Sequence, residues 1–161
     1  MLNISKKVGE LLLASGKKLI TAESCTAGLI SSTVAETPGS SSWLEGGFVV
    51  YTPQAKNKFL NVSLESIEKF NITSEQVAFE MAYGAIEKSV DANVSIAVTG
   101  VAGPSGGTEE IPVGTVCIAW ARVYGEDIQV MTEKCFFEGS RNEIREKVVN
   151  YSLSKLIELL N

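Results

Sequence analysis

The sequence predicts an α/β fold, a three-layer α/β/α sandwich with a mixed β-sheet. Short apolar segments at residues 18–22, 46–51 and 93–100 alternate with segments of helical periodicity, which favours parallel strands joined by crossover helices. Near the carboxyl terminus, residues 115–123 and 128–137 flank the turn sequence YGED. This pattern indicates an antiparallel hairpin, so the sheet is predicted to be mixed, with helices on both faces.

The first two helices are predicted from apolar periodicity and from turn residues. Apolar residues recur at helical spacing from Ile4 to Leu12, and Gly16 is placed to end that helix. A second helix is predicted over residues 25–36, stopped by the Pro38-Gly39 pair.

Two further helices are predicted from capping signals. Thr52 followed by Pro53 is typical of an N-cap and a first helical residue, because proline lacks the N–H that this position leaves unpaired. A longer helix is predicted over about residues 74–89, with Thr73 and Gln76 as its capping box.

The final part of the chain is predicted to hold a long loop and a last helix. Residues 101–114 are rich in glycine and contain two prolines, Pro104 and Pro112, so they are predicted to form a loop. The last helix is predicted to begin at Ser140, with Glu143 completing a capping box.

Composition predicts one ordinary globular domain over residues 1–161, with 45% hydrophobic and 20% charged residues. The net charge of −5 argues against a nucleic-acid partner. We expect no signal peptide and no membrane span, hence a cytoplasmic protein. The 3 cysteines are widely spaced, and the chain has no histidine. Histidine-dependent triads and metal sites that use imidazole are therefore excluded.

Ser24 is the first candidate for a nucleophile. It lies in the segment TAESCTAG, where a predicted strand turns into a predicted helix, so its hydroxyl would face free N–H groups. Taken alone, this turn fits a simple helix cap by Ser24 or Thr26 better, since both residue types are common N-caps. Cys25 is a second candidate, although a thiol at this position more often packs as a small apolar residue.

Lys56 is the candidate base. If Pro53 begins a helix, Lys56 lies in its opening turn, where the helix dipole disfavours a positive charge and lowers the pKa of the amine. Tyr51, at the end of the preceding strand, could relay a proton or orient the lysine. A solvated surface lysine and a half-buried aromatic residue are the ordinary alternatives.

Two other stretches could bind an anion. Residues 99–107, TGVAGPSGG, follow a predicted strand, and their glycines would allow the backbone to approach a ligand. This loop matches neither a Walker A motif nor GxGxxG. Arg141 and Arg145 share one face near the start of the last helix, where a bound anion would offset their conflict with the dipole. Pairing with Glu143 or other acids remains the alternative.

Together these stretches resemble the CinA C-terminal domain family. The resemblance rests on TAESCTAGLISS, PGSSSWLEGGFVVYTPQAKNKFLNV, AVTGVAGPSGGTEEIPVGTV and FFEGSRNEIRE, which span nearly the whole chain. It implies hydrolysis of the carboxamide of nicotinamide mononucleotide (NMN) by a serine-lysine pair, without a metal or cofactor.

The resemblance also implies roles for individual residues. Ser24 is the expected nucleophile and Lys56 the expected base, with Tyr51 as the third catalytic residue. Arg141 and Arg145 are expected near the substrate phosphate. The full set of expected substrate-binding residues is Thr26, Gly28, Thr99, Gly100, Gly103, Arg141 and Arg145.

Three other functions remain open at this stage. The same pocket could sense a pyridine nucleotide without turnover, or the enzyme could act on a different amide. A protein-interaction role in DNA uptake or repair is suggested only by the competence-associated name of the family. We expect a small-molecule substrate and a homo-oligomer, with no nucleic-acid or membrane partner.

Overall fold

A five-stranded mixed sheet forms the centre of the molecule. The structure, a computed structural model, describes residues 2–161. The sheet order is β2-β1-β3-β4-β5. Strands β1 to β3 are mutually parallel, whereas β4 pairs antiparallel with both β3 and β5. The strands are β1 (Leu19–Glu23), β2 (Leu44–Val49), β3 (Val94–Gly100), β4 (Thr115–Tyr124) and β5 (Asp127–Phe136).

Helices cover both faces of the sheet, which confirms the predicted three-layer α/β/α architecture. One face packs against the first, second and last helices, and the other against the three helices between β2 and β3. In chain order they are α1 (Leu2–Ala14), α2 (Leu29–Ala35), α3 (Pro53–Leu60), α4 (Leu64–Phe70), α5 (Glu75–Lys88) and α6 (Arg141–Leu160).

The two faces of the sheet carry side chains of different size. Successive strand residues point to opposite faces, so β3 sends Ile96 and Val98 toward α6 but Ser95 and Ala97 toward α5. On the α5 face, Ser95 donates a hydrogen bond to the carbonyl of Ala82. Small residues on this face let α5 lie close to the strands, and the larger aliphatic core is on the opposite face.

Three details of the predicted helices are wrong. Helix α2 begins at Leu29, because residues 25–28 form a turn. The N-cap of α5 is Ser74, whose hydroxyl accepts a hydrogen bond from the Val77 N–H, so the predicted Thr73 capping box is absent. Helix α4 was not predicted, although it carries its own cap, Ser63. The caps predicted at Thr52 for α3 and at Ser140 with Glu143 for α6 are confirmed.

Gly84 allows α5 to pack against the end of α3. A Cβ atom at this position would lie 2.0 Å from the Leu60 carbonyl oxygen, so an alanine would force the two helices apart. We expect Gly84→Ala to lower the free energy of unfolding by about 2 kcal/mol, as overpacking does. Denaturant unfolding measures this loss. Gly46→Ala is the control, since a Cβ there meets nothing within 4 Å, and an equal loss in both variants would contradict the packing argument.

Candidate active site

A pocket of about 260 Å³ opens at the edge of the sheet where the parallel strands end. In the sheet, the strand that follows β1 in the chain, β2, lies on one side of the β1–β3 pair. The strand that follows β3, β4, lies on the other side of that pair. Such a reversal leaves a crevice between the two strands, and ligands of open α/β sheets bind there. The pocket is lined by Ser24, Cys25, Tyr51, Ile72, Thr73, Val101, Ala102, Ser105, Arg141 and four residues discussed below, Thr99, Gly100, Gly103 and Gly106.

The side chains of Ser24 and Lys56 meet beside this pocket. Ser24 directly follows β1, and its N–H donates to the Val98 carbonyl of β3. Lys56 lies in the first turn of α3 and is 0% exposed. Its Nζ atom lies 2.8 Å from the Ser24 Oγ atom. The same amine donates to the Val50 and Tyr51 carbonyls at 2.9 and 3.1 Å.

Burial lowers the pKa of Lys56 from its ordinary value to about 8, because the charged form loses hydration. No carboxylate contacts this amine among residues 2–161. A neutral amine has two N–H groups and one lone pair. The Val50 and Tyr51 carbonyls can accept from the two N–H groups, which leaves the lone pair for the Ser24 hydroxyl. The geometry therefore suits proton removal from Ser24.

The lowered pKa of Lys56 makes stability depend on pH. Between about pH 8 and 10.5 the unfolded lysine holds a proton that the folded one has lost, so stability rises with pH in this window. Below about pH 8, Lys56 is protonated in both the folded and the unfolded state, so the folded protein bears the full cost of burying the charged amine. Relative to Lys56→Met, the wild type should gain roughly 2 kcal/mol of unfolding free energy between pH 7 and pH 10. Denaturant unfolding at both values measures this, and a difference independent of pH would contradict a buried lysine of low pKa.

Residues Ser24 to Ala27, here called the nucleophile turn, form a tight turn. The Ala27 N–H donates to the Ser24 carbonyl at 3.0 Å, and Ala27 has a left-handed φ of 48°. Among residues 2–161, neither the Cys25 nor the Thr26 N–H has a hydrogen-bond acceptor. Of these two residues Cys25 lines the pocket, whereas Thr26 is fully buried. The Cys25 N–H is therefore the donor that could stabilise an oxyanion beside the Ser24 hydroxyl.

Glu23, which sequence reasoning missed, anchors the nucleophile turn from the core side. Its carboxylate is fully buried and accepts hydrogen bonds from the Ile30 and Ser31 N–H groups at 2.8 and 3.0 Å. It therefore caps α2 in place of the expected Ser24 or Thr26. It also accepts from the hydroxyls of Thr21, Thr26 and Ser31. A carboxylate buried at the end of a mostly apolar strand needs such hydrogen-bond partners. The acidic residue that ends the segment LITAE is therefore the sequence signal that could have identified Glu23.

Cys25 is poorly suited to act as the nucleophile. It lines the pocket but is only 5% exposed, and burial raises the pKa of its thiol to about 11. Because the thiolate is the reactive form, this thiol is inert near neutral pH. The geometry favours Ser24.

Tyr51 and Arg141 form one side of the pocket. The Tyr51 hydroxyl accepts a hydrogen bond from Arg141 Nη2 at 2.8 Å, and Arg141 Nη1 donates to the Gly103 carbonyl at 2.7 Å. The Tyr51 side chain is 51% exposed. Lys56 contacts the Tyr51 backbone carbonyl rather than the phenol. Tyr51 thus orients the lysine through its main chain.

The remaining expected substrate-binding residues fall into two groups. Thr99, Gly100 and Gly103 line the pocket. The Thr99 hydroxyl donates to the Ile72 carbonyl and so holds a second wall of the pocket. Gly103 has a φ of 78°, and a Cβ there would lie 2.4 Å from Val113, so only glycine lets the loop close at this point.

Three expected substrate-binding residues do not line the pocket. Thr26 is fully buried, and its hydroxyl donates to Glu23. Gly28 is the left-handed N-cap of α2, with a φ of 92°. Arg145 donates to the Cys25 and Thr26 carbonyls. Thr26 and Arg145 thus make contacts within the nucleophile turn, and Gly28 joins this turn to α2. Ile72 and Thr73, which do line the pocket, were not predicted.

Two negative findings apply to the part of the chain that the structure describes. Within residues 2–161, no group of three or more cysteine, aspartate or glutamate side chains is placed to hold a metal ion. In the same range, no helix has both the length and the apolar character needed to cross a membrane.

The fold and this pocket define an α/β domain with a small-molecule site at the carboxyl edge of its parallel strands. The family model of the CinA C-terminal domain matches residues 1–160. The chain therefore belongs to the CinA C-terminal domain family, as its motifs predict.

Individual relatives agree with this assignment. The chain is 40% identical over 156 residues to nicotinamide-nucleotide amidohydrolase PncC of Escherichia coli K12, with 97% of this chain and 92% of that protein covered. It is 44% identical over 153 residues to a CinA-like protein of Desulfotalea psychrophila, of which it spans 36%. The crystal structure of competence/damage inducible protein CihA from Agrobacterium tumefaciens has a TM-score of 0.92 and 38% identity, with 99% of this chain and 94% of that chain covered.

Proposed function

We propose that this protein is an amidohydrolase that converts NMN to nicotinic acid mononucleotide and ammonia. The observation that carries the proposal is the 2.8 Å contact between the Ser24 hydroxyl and a fully buried lysine amine. Support for the substrate comes from the relative of 40% identity over 97% of the chain, which is named a nicotinamide-nucleotide amidohydrolase. Such an enzyme would serve the recycling of pyridine nucleotides.

In the first half of the reaction, neutral Lys56 removes the proton of the Ser24 hydroxyl while the oxygen attacks the carboxamide carbon. The carbonyl oxygen of the substrate becomes negative in the tetrahedral intermediate. The free N–H group of Cys25 is an unpaired donor of the nucleophile turn in a residue that lines the pocket, and we assign it to this oxygen.

In the second half, the protonated Lys56 gives its proton to the departing nitrogen, the C–N bond breaks and ammonia leaves. Lys56 is then neutral again and removes a proton from a water molecule that attacks the acyl carbon. The Ser24 ester bond breaks, Ser24 regains its proton from the lysine, and nicotinic acid mononucleotide is released. One buried base of pKa about 8 can perform both transfers near neutral pH.

Arg141 is proposed to bind the substrate phosphate. It is the arginine that lines the pocket, and it is exposed to solvent. The neighbouring backbone of Gly103, Ser105 and Gly106 also lines the pocket, and glycine allows a phosphate to approach the main chain closely.

A pyridine-nucleotide sensor without turnover is the second candidate function. The pocket, its glycine-rich loop and Arg141 would suit such a sensor equally well. The contact between Ser24 and Lys56 favours the enzyme, because binding alone needs no buried lysine of lowered pKa against a serine hydroxyl.

Ammonia release from NMN by the purified protein separates these two functions. We expect turnover by the wild type and its loss, by about 10⁴-fold or more, in Ser24→Ala, since no other nucleophile is activated. The affinity of this variant for NMN, measured by calorimetry, should stay within about threefold of the wild type. Binding without ammonia release by the folded wild type would instead establish the sensor.

A further inference from the structure

Arg145 contacts the nucleophile turn instead of the pocket. From α6 its Nε donates to the Cys25 carbonyl at 3.1 Å, and its Nη2 donates to the Thr26 carbonyl at 3.0 Å. It forms no salt bridge among residues 2–161. The guanidinium thus bridges two successive carbonyl groups of the turn that carries Ser24, and its rigid fork suits such paired contacts.

This contact sets the direction of the peptide groups in the nucleophile turn. In a planar trans peptide the carbonyl and the following N–H point in opposite directions. Because Arg145 holds the Cys25 carbonyl, the Thr26 N–H must point away from α6. The Ser24 carbonyl accepts a hydrogen bond from the Ala27 N–H. The Cys25 N–H belongs to the same peptide group as this carbonyl and therefore points in the opposite direction. Neither N–H group donates to another residue in the described structure, but only Cys25 lines the pocket, because Thr26 is fully buried.

Ala27 carries backbone strain in this turn. It is exposed and left-handed, at a φ of 48°, a conformation that costs a residue with a side chain roughly 1 kcal/mol. Without Arg145, the peptide group between Cys25 and Thr26 could rotate without breaking any hydrogen bond of Glu23. Such a rotation could turn the Cys25 carbonyl oxygen toward the negatively charged intermediate. Glu23 fixes the Thr26 side chain, and the Leu29 N–H also donates to the Thr26 carbonyl. Arg145 is the hydrogen-bond partner of the Cys25 carbonyl.

We infer that Arg145 is a positioning residue, which holds the Cys25 and Thr26 carbonyls so that the Cys25 carbonyl stays turned away from the pocket and the Cys25 N–H remains free for the oxyanion. This role rests on the proposed amidohydrolase function. It differs from phosphate binding, which the family resemblance implies for Arg145. A positioning role affects the reacting centre of every substrate alike, whereas phosphate binding affects only substrates that carry the phosphate.

The test compares NMN with its unphosphorylated counterpart, nicotinamide riboside, as substrates of Arg145→Met and Arg145→Lys. We expect Arg145→Met to lower kcat about 10²-fold on NMN, as loss of an oxyanion donor does, and to lower kcat/KM by the same factor on both substrates. Arg145→Lys, which can replace one of the two hydrogen bonds, should recover part of the rate. Glu146→Gln, exposed beside it on α6, is the matched control and should behave as the wild type.

A binding measurement decides the same question independently of turnover. In the Ser24→Ala background, adding Arg145→Met should change the Kd for NMN by less than about threefold. A loss of rate confined to NMN, or a Kd weakened tenfold or more, would overturn the positioning role and assign Arg145 to the phosphate. Absence of wild-type turnover on NMN would instead overturn the proposed function itself.

Discussion

Replacing Lys56 with methionine should lower kcat for NMN hydrolysis by roughly 10³-fold, the range expected when a general base is removed. Methionine nearly matches the length of the lysine stem but has no basic group. The Ser24 hydroxyl would then keep its proton during attack, and the departing nitrogen would have no acid beside it. Ammonia release under saturating NMN measures this effect directly.

Lys58→Met is the matched control for this substitution. Lys58 lies on the same helix but is exposed, so its loss should leave kcat within about twofold. In the wild type, kcat/KM should rise with pH and level off above about pH 8, because the reaction needs the neutral form of Lys56. Full activity in Lys56→Met would show that the base is another group, and Tyr51 would be the next residue to replace.

Replacing Glu23 with alanine should lower the free energy of unfolding by at least about 3 kcal/mol. Its carboxylate accepts two backbone N–H groups of α2 and three hydroxyl groups, all in or near the core. Each donor left buried without an acceptor costs about 1–3 kcal/mol. Denaturant unfolding, followed by circular dichroism, measures the loss.

Glu23→Gln separates the hydrogen bonds from the space that the side chain fills. The amide keeps the shape and one acceptor oxygen, so we expect a loss of about half that of Glu23→Ala. Glu36→Ala, at the exposed carboxyl end of the same helix, should change stability by less than about 0.5 kcal/mol. If Glu23→Ala were as stable as the wild type, the carboxylate would not be the anchor of the nucleophile turn.

Much of the fold could be predicted because its signals are local. The helix beginning at Pro53 and the last helix each carry a cap that functions in the structure. Adjacent candidates were harder to separate. Thr73 and Ser74 are both good N-caps, and only packing decides that Ser74 caps α5 while Thr73 lines the pocket. Helix α4 is a short segment whose periodicity is too brief to detect reliably.

The site was harder to predict, because its contacts join residues far apart in the chain. The residue types pointed to Ser24 and Lys56, but their meeting across 32 positions depends on how α3 packs against β1. The turn at residues 25–28 shifts the start of α2. As a result, Thr26 and Gly28 lie outside the pocket. No local pattern indicates that Arg145 would reach the carbonyls of a turn about 120 residues earlier.

The reach of α6 back to the nucleophile turn has a consequence for biosynthesis. The chain leaves the ribosome amino terminus first, so Ser24 and Lys56 emerge before Arg141 and Arg145. The guanidinium contacts with Gly103, Cys25 and Thr26 can form only after this last helix has been translated and docked. A nascent chain that contains Ser24 and Lys56 but not yet α6 would therefore lack the contacts that hold the nucleophile turn and this side of the pocket.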